Sequence, residues 1–278
     1  MEKIRAVQVS AKALKTRKKF LGALPHQPIC PYALGEAMGF DIRFVNIPSF
    51  EGMYVADQNL ILISSDRPEG RKRFTCAHEI GHHVLEHGTI IDEIITSGSN
   101  KQEEQEADYF ASLLLMPPSA ISRAFQSYDI KPEQLTGMDA YSLSKYFGAS
   151  YEGFVTHIHF NLKLITYRKY QELKREDLSG IRKAICGDPK VSQTIWVGSW
   201  WVEKAIDIEV GDVVVSDTSL NIDGPEIIYS LRLNEKYLYK ATKPGITRLG
   251  NDQWSSFVKV SRSKFHGFLQ YKYDEDDE

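Results

Sequence analysis

His78, Glu79, Ile80, Gly81 and His82 are residue types in an order that can hydrolyse a peptide bond. On a helix, positions i and i+4 share a face, so the two imidazoles can reach one metal ion. Zinc accepts imidazole nitrogen in a tetrahedral shell and, in a catalytic site, keeps one position open. Glu79 follows the first ligand and can point at the reacting water without entering the shell. This is the HExxH pattern of zinc peptidases. Zinc polarises the scissile carbonyl and draws the pKa of a water toward about 7. Glu79 then takes the proton and passes it to the departing amine. The bland alternative is a surface helix with two solvated histidines. A chance HExxH in a chain of this composition has a probability on the order of one or two per cent, which favours the metal reading. Gly81 is small, and a strand backbone is expected to pack close to the helix there.

A third ligand is needed. The long zincin motif requires Gly at 85 and His at 88, where this chain has Leu85 and Gly88, so that class is excluded. His83 and His87 repeat the four-residue spacing without a Glu beside a ligand. They read as a flanking face, with His87 a candidate to line the cleft. A carboxylate from a second helix remains. Ala107, Ala111, Leu114 and Leu115 mark a buried stripe over residues 102–116. Glu104 and Asp108 lie along it at i and i+4, Glu103 lies nearer its edge and Glu106 points elsewhere. Glu104 is the preferred ligand, with Glu103, Glu106 or a wholly solvated face as alternatives. Asp108 is the candidate to orient His78 or His82 through its other ring nitrogen.

These residues need elements to hold them. Helices are expected over 71–87 and 102–116, the second stopped by Pro117-Pro118, and over 32–38, closed by Gly39. A strand over 41–47 precedes a hairpin of Tyr54-Val55, a turn at 57–59, and Leu60-Ile61-Leu62-Ile63. Leu60, Ile61 and Leu62 shortly precede the metal helix. An edge strand there could hold an extended peptide, while a core strand explains four consecutive apolar residues equally well. The basic first twenty residues read as a solvated helix face, with nucleic-acid or membrane contact as the alternative. Residues 140–151 look like a helix-turn-helix fragment turning at Gly148, a unit that packs into many helical folds.

The 278 residues suffice for one large domain or two smaller ones. A net charge of −3 does not indicate a bulk polyanion-binding surface. No apolar run approaches the roughly 18 residues that span a membrane, so no membrane partner is expected. Cys30, Cys76 and Cys186 are odd in number and lack CxxC spacing, which argues against a disulfide framework or a structural zinc site. A reducing cytoplasm is the natural compartment. Cys76 lies two residues before His78 and faces away from the metal.

The segment Arg73-Phe74-Thr75-Cys76-Ala77-His78-Glu79-Ile80-Gly81-His82 resembles the RFTxAHExGH segment of the ImmA/IrrE metallopeptidases. Residues 104–111 with Leu114-Leu115-Met116-Pro117 resemble that family's ExEA[ND]xFAxxLLMP segment. Together the two motifs cover roughly residues 30–160. The resemblance implies a gluzincin-like α+β peptidase domain, mainly helical with a small sheet, and supports Glu104 as the third zinc ligand. It also implies a protein substrate, a helix-turn-helix DNA-binding repressor whose cleavage switches on a stress, mobile-element or defence operon. Some members carry a GAF-like sensory domain at the C-terminus. The alternative function is a non-catalytic partner-binding or nucleic-acid-sensing module that retains the peptidase fold.

Beyond residue 175 strands are expected over 194–202, 212–216, 227–233, 237–241 and 256–260. The expected organisation is a zinc peptidase domain with helical extension over 1–165, a β-rich sensory or regulatory domain over 175–272, GAF-like by the resemblance, and an acidic disordered tail over 273–278. Nucleic acid is a candidate activating ligand. Trp196, Trp200, Trp201 and Trp254 concentrate in the second domain, where core packing is the commoner use and stacking on single strands the alternative.

Overall fold

The computed structural model describes residues 3–22, 26–87, 90–93, 101–201 and 205–274. In chain order the helices are α1 (Lys3–Leu21), α2 (Pro31–Ala37), α3 (Glu69–Leu85), α4 (Lys101–Leu115), α5 (Pro118–Ser127), α6 (Gly137–Tyr146), α7 (Tyr151–Thr156), α8 (Tyr167–Lys174) and α9 (Leu178–Cys186). The strands are β1 (Asp41–Val45), β2 (Phe50–Val55), β3 (Leu60–Ser64), β4 (Ile90–Glu93), β5 (Thr194–Val197), β6 (Ile206–Glu209), β7 (Val213–Ser216), β8 (Asn221–Ile222), β9 (Ile227–Leu233), β10 (Lys236–Ala241), β11 (Gly245–Gly250), β12 (Ser255–Ser261) and β13 (Gly267–Phe268). The chain divides into two compact units. One holds the residues up to Arg175 together with His266–Leu269, and the other holds Glu176–Phe265 and the residues from Gln270 onward. The protein has the mixed α+β class expected from its sequence.

The first unit is built on α3. Pro68 precedes this helix, Glu69 places an acid in its first turn, and Glu86 ends it in the left-handed region at φ 66°. One side of α3 packs on α4 and another on β2 and β3. Gly81 serves the α4 side, which corrects the expectation of a strand there. A Cβ at Gly81 would stand 3.0 Å from Phe110 and 3.4 Å from the Ala107 backbone. The close strand approach lies at Gly52 of β2, where a Cβ would meet Thr75 at 2.3 Å and Glu79 Oε1 at 2.7 Å. At the start of α3, Gly70 packs on the Ala149–Ser150 backbone between α6 and α7. The helix-turn-helix-like pair, with Gly148 at φ 66° and a capping box of Thr136 and Asp139, thus serves as core packing against the motif helix.

The sheet of this unit has the order β13-β1-β3-β2-β4. β1 and β3 are parallel, and the other neighbours are antiparallel. The expectation that Leu60, Ile61 and Leu62 hold a peptide along a free edge is overturned. β3 is paired on both sides, so its backbone groups are already used, and Ile61 and Ile63 are core residues. Among the described residues the outer strands are β13 and β4. β13 also alters the expected division of the chain, because it follows the β-rich region in sequence yet pairs with β1 in the first unit.

α1 lies on α4 through a stripe of four-residue spacing, Val9, Ala13 and Arg17. Arg17 departs from the solvated-face expectation. Its buried guanidinium donates to the carbonyls of Leu114, in the last turn of α4, and Gln27. Burial lowers its pKa to about 10, still charged at neutral pH.

The second unit contains two four-stranded sheets, β5-β7-β10-β9 and β6-β12-β11-β8. Each includes one parallel pair, β5 with β7 and β6 with β12. Val213, Val214 and Val215 form a continuous buried run, as strands covered on both faces do. Trp201 and Trp254 are core residues, and Lys236 lies 4.4 Å from the ring centroid of Trp196. The Trp200 side chain, the end of the loop at 97–100 and the tail at 275–278 lie outside the described residues.

Candidate metal centre

α3 ends at Leu85, so His78 and His82 lie in its last two turns. Both are buried, and their Nε2 atoms face each other at 2.9 Å. α4 brings Glu104 to the pair, with Oε2 3.2 Å from His78 Nε2 and Oε1 3.4 Å from His82 Nε2. One atom from each of His78, His82 and Glu104 lies within 4.8 Å of the other two. Glu104 Oε1 is buried and has no hydrogen bond among the described residues. Two imidazole nitrogens and a carboxylate oxygen converging on one point fit zinc. Glu79 is buried on the same helix, against Gly52 of β2. Of the other glutamates weighed from the sequence, Glu106 is turned to Arg5, Gln102 and His87.

The outer ring nitrogens are occupied as well. His78 Nδ1 lies 3.0 Å from Asp108 Oδ1. Asp108 does not lie in the buried stripe, since its side chain is 60% exposed and only the carboxylate end reaches inward. His82 Nδ1 lies 3.0 Å from His87 Nδ1, and His87 Nε2 lies 3.2 Å from Glu106 Oε2. His83 faces the other way, 2.7 Å from the Tyr54 hydroxyl. His87 and Gly52 are the site residues that sequence reasoning missed or left peripheral. Helical spacing paired His87 with His83, but the helix has ended before residue 87. The left-handed turn at Glu86 reverses the chain, and the His87 N–H bonds back to the His82 carbonyl.

The electrostatics of the two motif histidines diverge. Burial, the largest influence on His78, works to lower its pKa. Hydrogen bonds to Asp108 and Glu104 and the charge of Glu79 outweigh it and push the value up to about 10. His82 goes the other way, pushed down to about 3 by burial and then by the neighbouring His78 and His87. Such close imidazoles titrate as a pair, with the proton residing on the His78 side beside the carboxylates.

Next to this centre is a cavity of about 570 Å³ lined by Arg71, Phe74, Tyr109, Asp108 and His157 among others. It is large enough for one or two peptide side chains.

An HExxH helix opposed by a carboxylate on the following helix defines a class, the metallopeptidase domain. Residues 36–158 match the model of the M78 peptidases, described as the IrrE N-terminal-like domain. Over this segment the chain is similar to the IrrE-like peptidases. The radiation response metalloprotease IrrE of Deinococcus radiodurans is 28% identical over 114 residues, 39% of this chain and 34% of that relative. The chain thus spans about a third of the length of the curated relative that it matches. Among the described residues no helix is long and apolar enough to cross a membrane.

Proposed function

We propose that the chain is a zinc endopeptidase that cleaves a DNA-binding repressor of the helix-turn-helix type. The observation that carries the peptidase reading is the meeting of His78, His82 and Glu104 beside a buried Glu79. The repressor rests on the family resemblance and on the name of the relative, a radiation response metalloprotease. In this reading the cut switches on a stress, mobile-element or defence operon in the cytoplasm.

His78, His82 and Glu104 would hold the metal, with Asp108 fixing His78 so that Nε2 faces the centre. Zinc, when bound, supplies Lewis acidity to the scissile carbonyl. Glu79 is the general base. It takes the proton of the attacking water and delivers it to the leaving nitrogen, so its carboxylate serves twice. The peptide is proposed to run along β4, an outer strand among the described residues, as an added strand held by main-chain hydrogen bonds. The second unit is proposed to be regulatory, of the GAF-like kind that the resemblance implies, with nucleic acid as a candidate activating ligand.

The test is incubation of zinc-loaded protein with a candidate helix-turn-helix repressor, wild type against Glu79→Gln. Removing the base is expected to cut the cleavage rate at least a hundredfold, on the order of what general-base catalysis contributes, with zinc content unchanged. Equal rates for the two would sink the mechanism.

A further inference from the structure

The outer nitrogen of His82 begins a hydrogen-bonded string that runs out of the metal centre. For His82 to present a lone pair at Nε2, its ring proton must sit on Nδ1. That nitrogen lies 3.0 Å from His87 Nδ1, which must then be bare and accept. The His87 proton is therefore on Nε2, which lies 3.2 Å from Glu106 Oε2 and donates to it. The same Glu106 oxygen accepts from Arg5 Nη2 at 2.6 Å, and its other oxygen accepts from Gln102 Nε2 at 2.9 Å. Every member has one orientation that satisfies its neighbours. Reversing the string would place the His82 proton on Nε2, pointing into the site at His78. The His87 and Glu106 side chains are 4% and 2% exposed, so the bond between them is shielded from bulk water.

We infer that His87 and Glu106, locked by Arg5, are positioning residues that fix the tautomer of His82. This makes the N-terminal helix α1 part of the metal centre, although Arg5 is 101 residues from Glu106 in sequence. The inference rests on the zinc reading above. The two motif histidines are held differently: His78 by one largely exposed carboxylate, His82 by the buried side chains of His87 and Glu106, a string that ends on the part-exposed Arg5 of another helix. Nothing in the HExxH spacing requires this string, since Arg5 and His87 both lie outside the motif.

The experiment is zinc affinity of the full chain, read by competition with a chromophoric chelator. Losing an outer partner of a metal-bound histidine costs about 10–100-fold in affinity, and His87→Phe is expected to show such a loss. His87→Gln restores a carbonyl acceptor for the His82 N–H and is expected to recover most of it. Arg5→Gln is expected to weaken binding several-fold, and to add nothing in the His87→Phe background, because both act through one string. A second readout needs no variant: long-range nitrogen–proton correlation spectra of the zinc-loaded wild type should show His82 protonated at Nδ1 and His87 at Nε2. Unchanged affinity in folded His87→Phe, additive effects of Arg5 and His87, or the opposite His87 tautomer would each overturn the inference. If wild type binds no zinc, the metal reading itself fails. If His82→Ala abolishes binding while His87→Phe leaves it intact, only the string fails.

Discussion

Each imidazole at the centre has two nitrogens with separate tasks, one aimed at the metal position and one tied to a neighbour. Asp108 ties His78; burial works to lower that imidazole's pKa, but hydrogen bonds to Asp108 and Glu104 and the charges of Glu79 and Asp108 push it up to about 10. A cation arriving at Nε2 must displace the proton there, so metal uptake competes with it at every pH below about 10. Affinity is greatest at high pH and falls about tenfold for each unit of acidification in that range, from this one proton. Calorimetric titration with zinc in buffers of different ionisation enthalpy should show a proton released per zinc bound near pH 8. Zinc uptake with no proton release would contradict the arrangement of His78 between Asp108 and Glu104.

Elements bring these residues together by close approach at small side chains. α3 meets α4 through Gly81 against Ala107, which brings Glu104 over the two histidines. β2 meets α3 through Gly52, where the space beside Glu79 is already full. Gly52→Ala would place a methyl 2.3 Å from Thr75 Cγ2 and 2.7 Å from the Glu79 carboxylate. Overpacking of this kind costs about 1–3 kcal/mol. The variant is expected to unfold at lower denaturant and to lose peptidase activity through a displaced Glu79, while still binding zinc at His78, His82 and Glu104. Wild-type stability and activity in Gly52→Ala would show that strand and helix are not in such contact.

At the scale of the first unit, stability depends on burying groups that prefer water when charged. His157 is 1% exposed, lies 2.8 Å from the Met116 carbonyl and joins the end of α7 to the end of α4. Burial pushes its pKa down to about 4, against a smaller raising effect of that carbonyl. Its folded value thus lies below the ordinary 6.5, so the unfolded chain takes the proton first. The neutral imidazole contributes fully above pH 6.5, and stability is lost as pH falls from there to about 4, by roughly 3 kcal/mol in total. Denaturant unfolding of wild type and His157→Gln across this window checks it. The variant's stability should fall less steeply with acid, and parallel curves would remove His157 from the account.

Short-range spacing in the chain is enough to set the local pattern. The i, i+4 spacing of His78 and His82, the small and apolar stripe of α4 and the hairpin of β2 and β3 are short-range features that helical and strand periodicity print directly into the chain. Tertiary structure decided the partners. It put β3 inside the sheet, because β1 pairs with it across an intervening crossover that no local signal announces. It turned Glu106 inward to Arg5, because α1 packs on α4 from a hundred residues away. It gave β1 a neighbour, β13, from beyond the β-rich region. It ended α3 before His87, so that a residue misread by helical spacing came to rest against His82. In each case backbone periodicity fixes which face a residue occupies, while packing between distant elements fixes what that face meets.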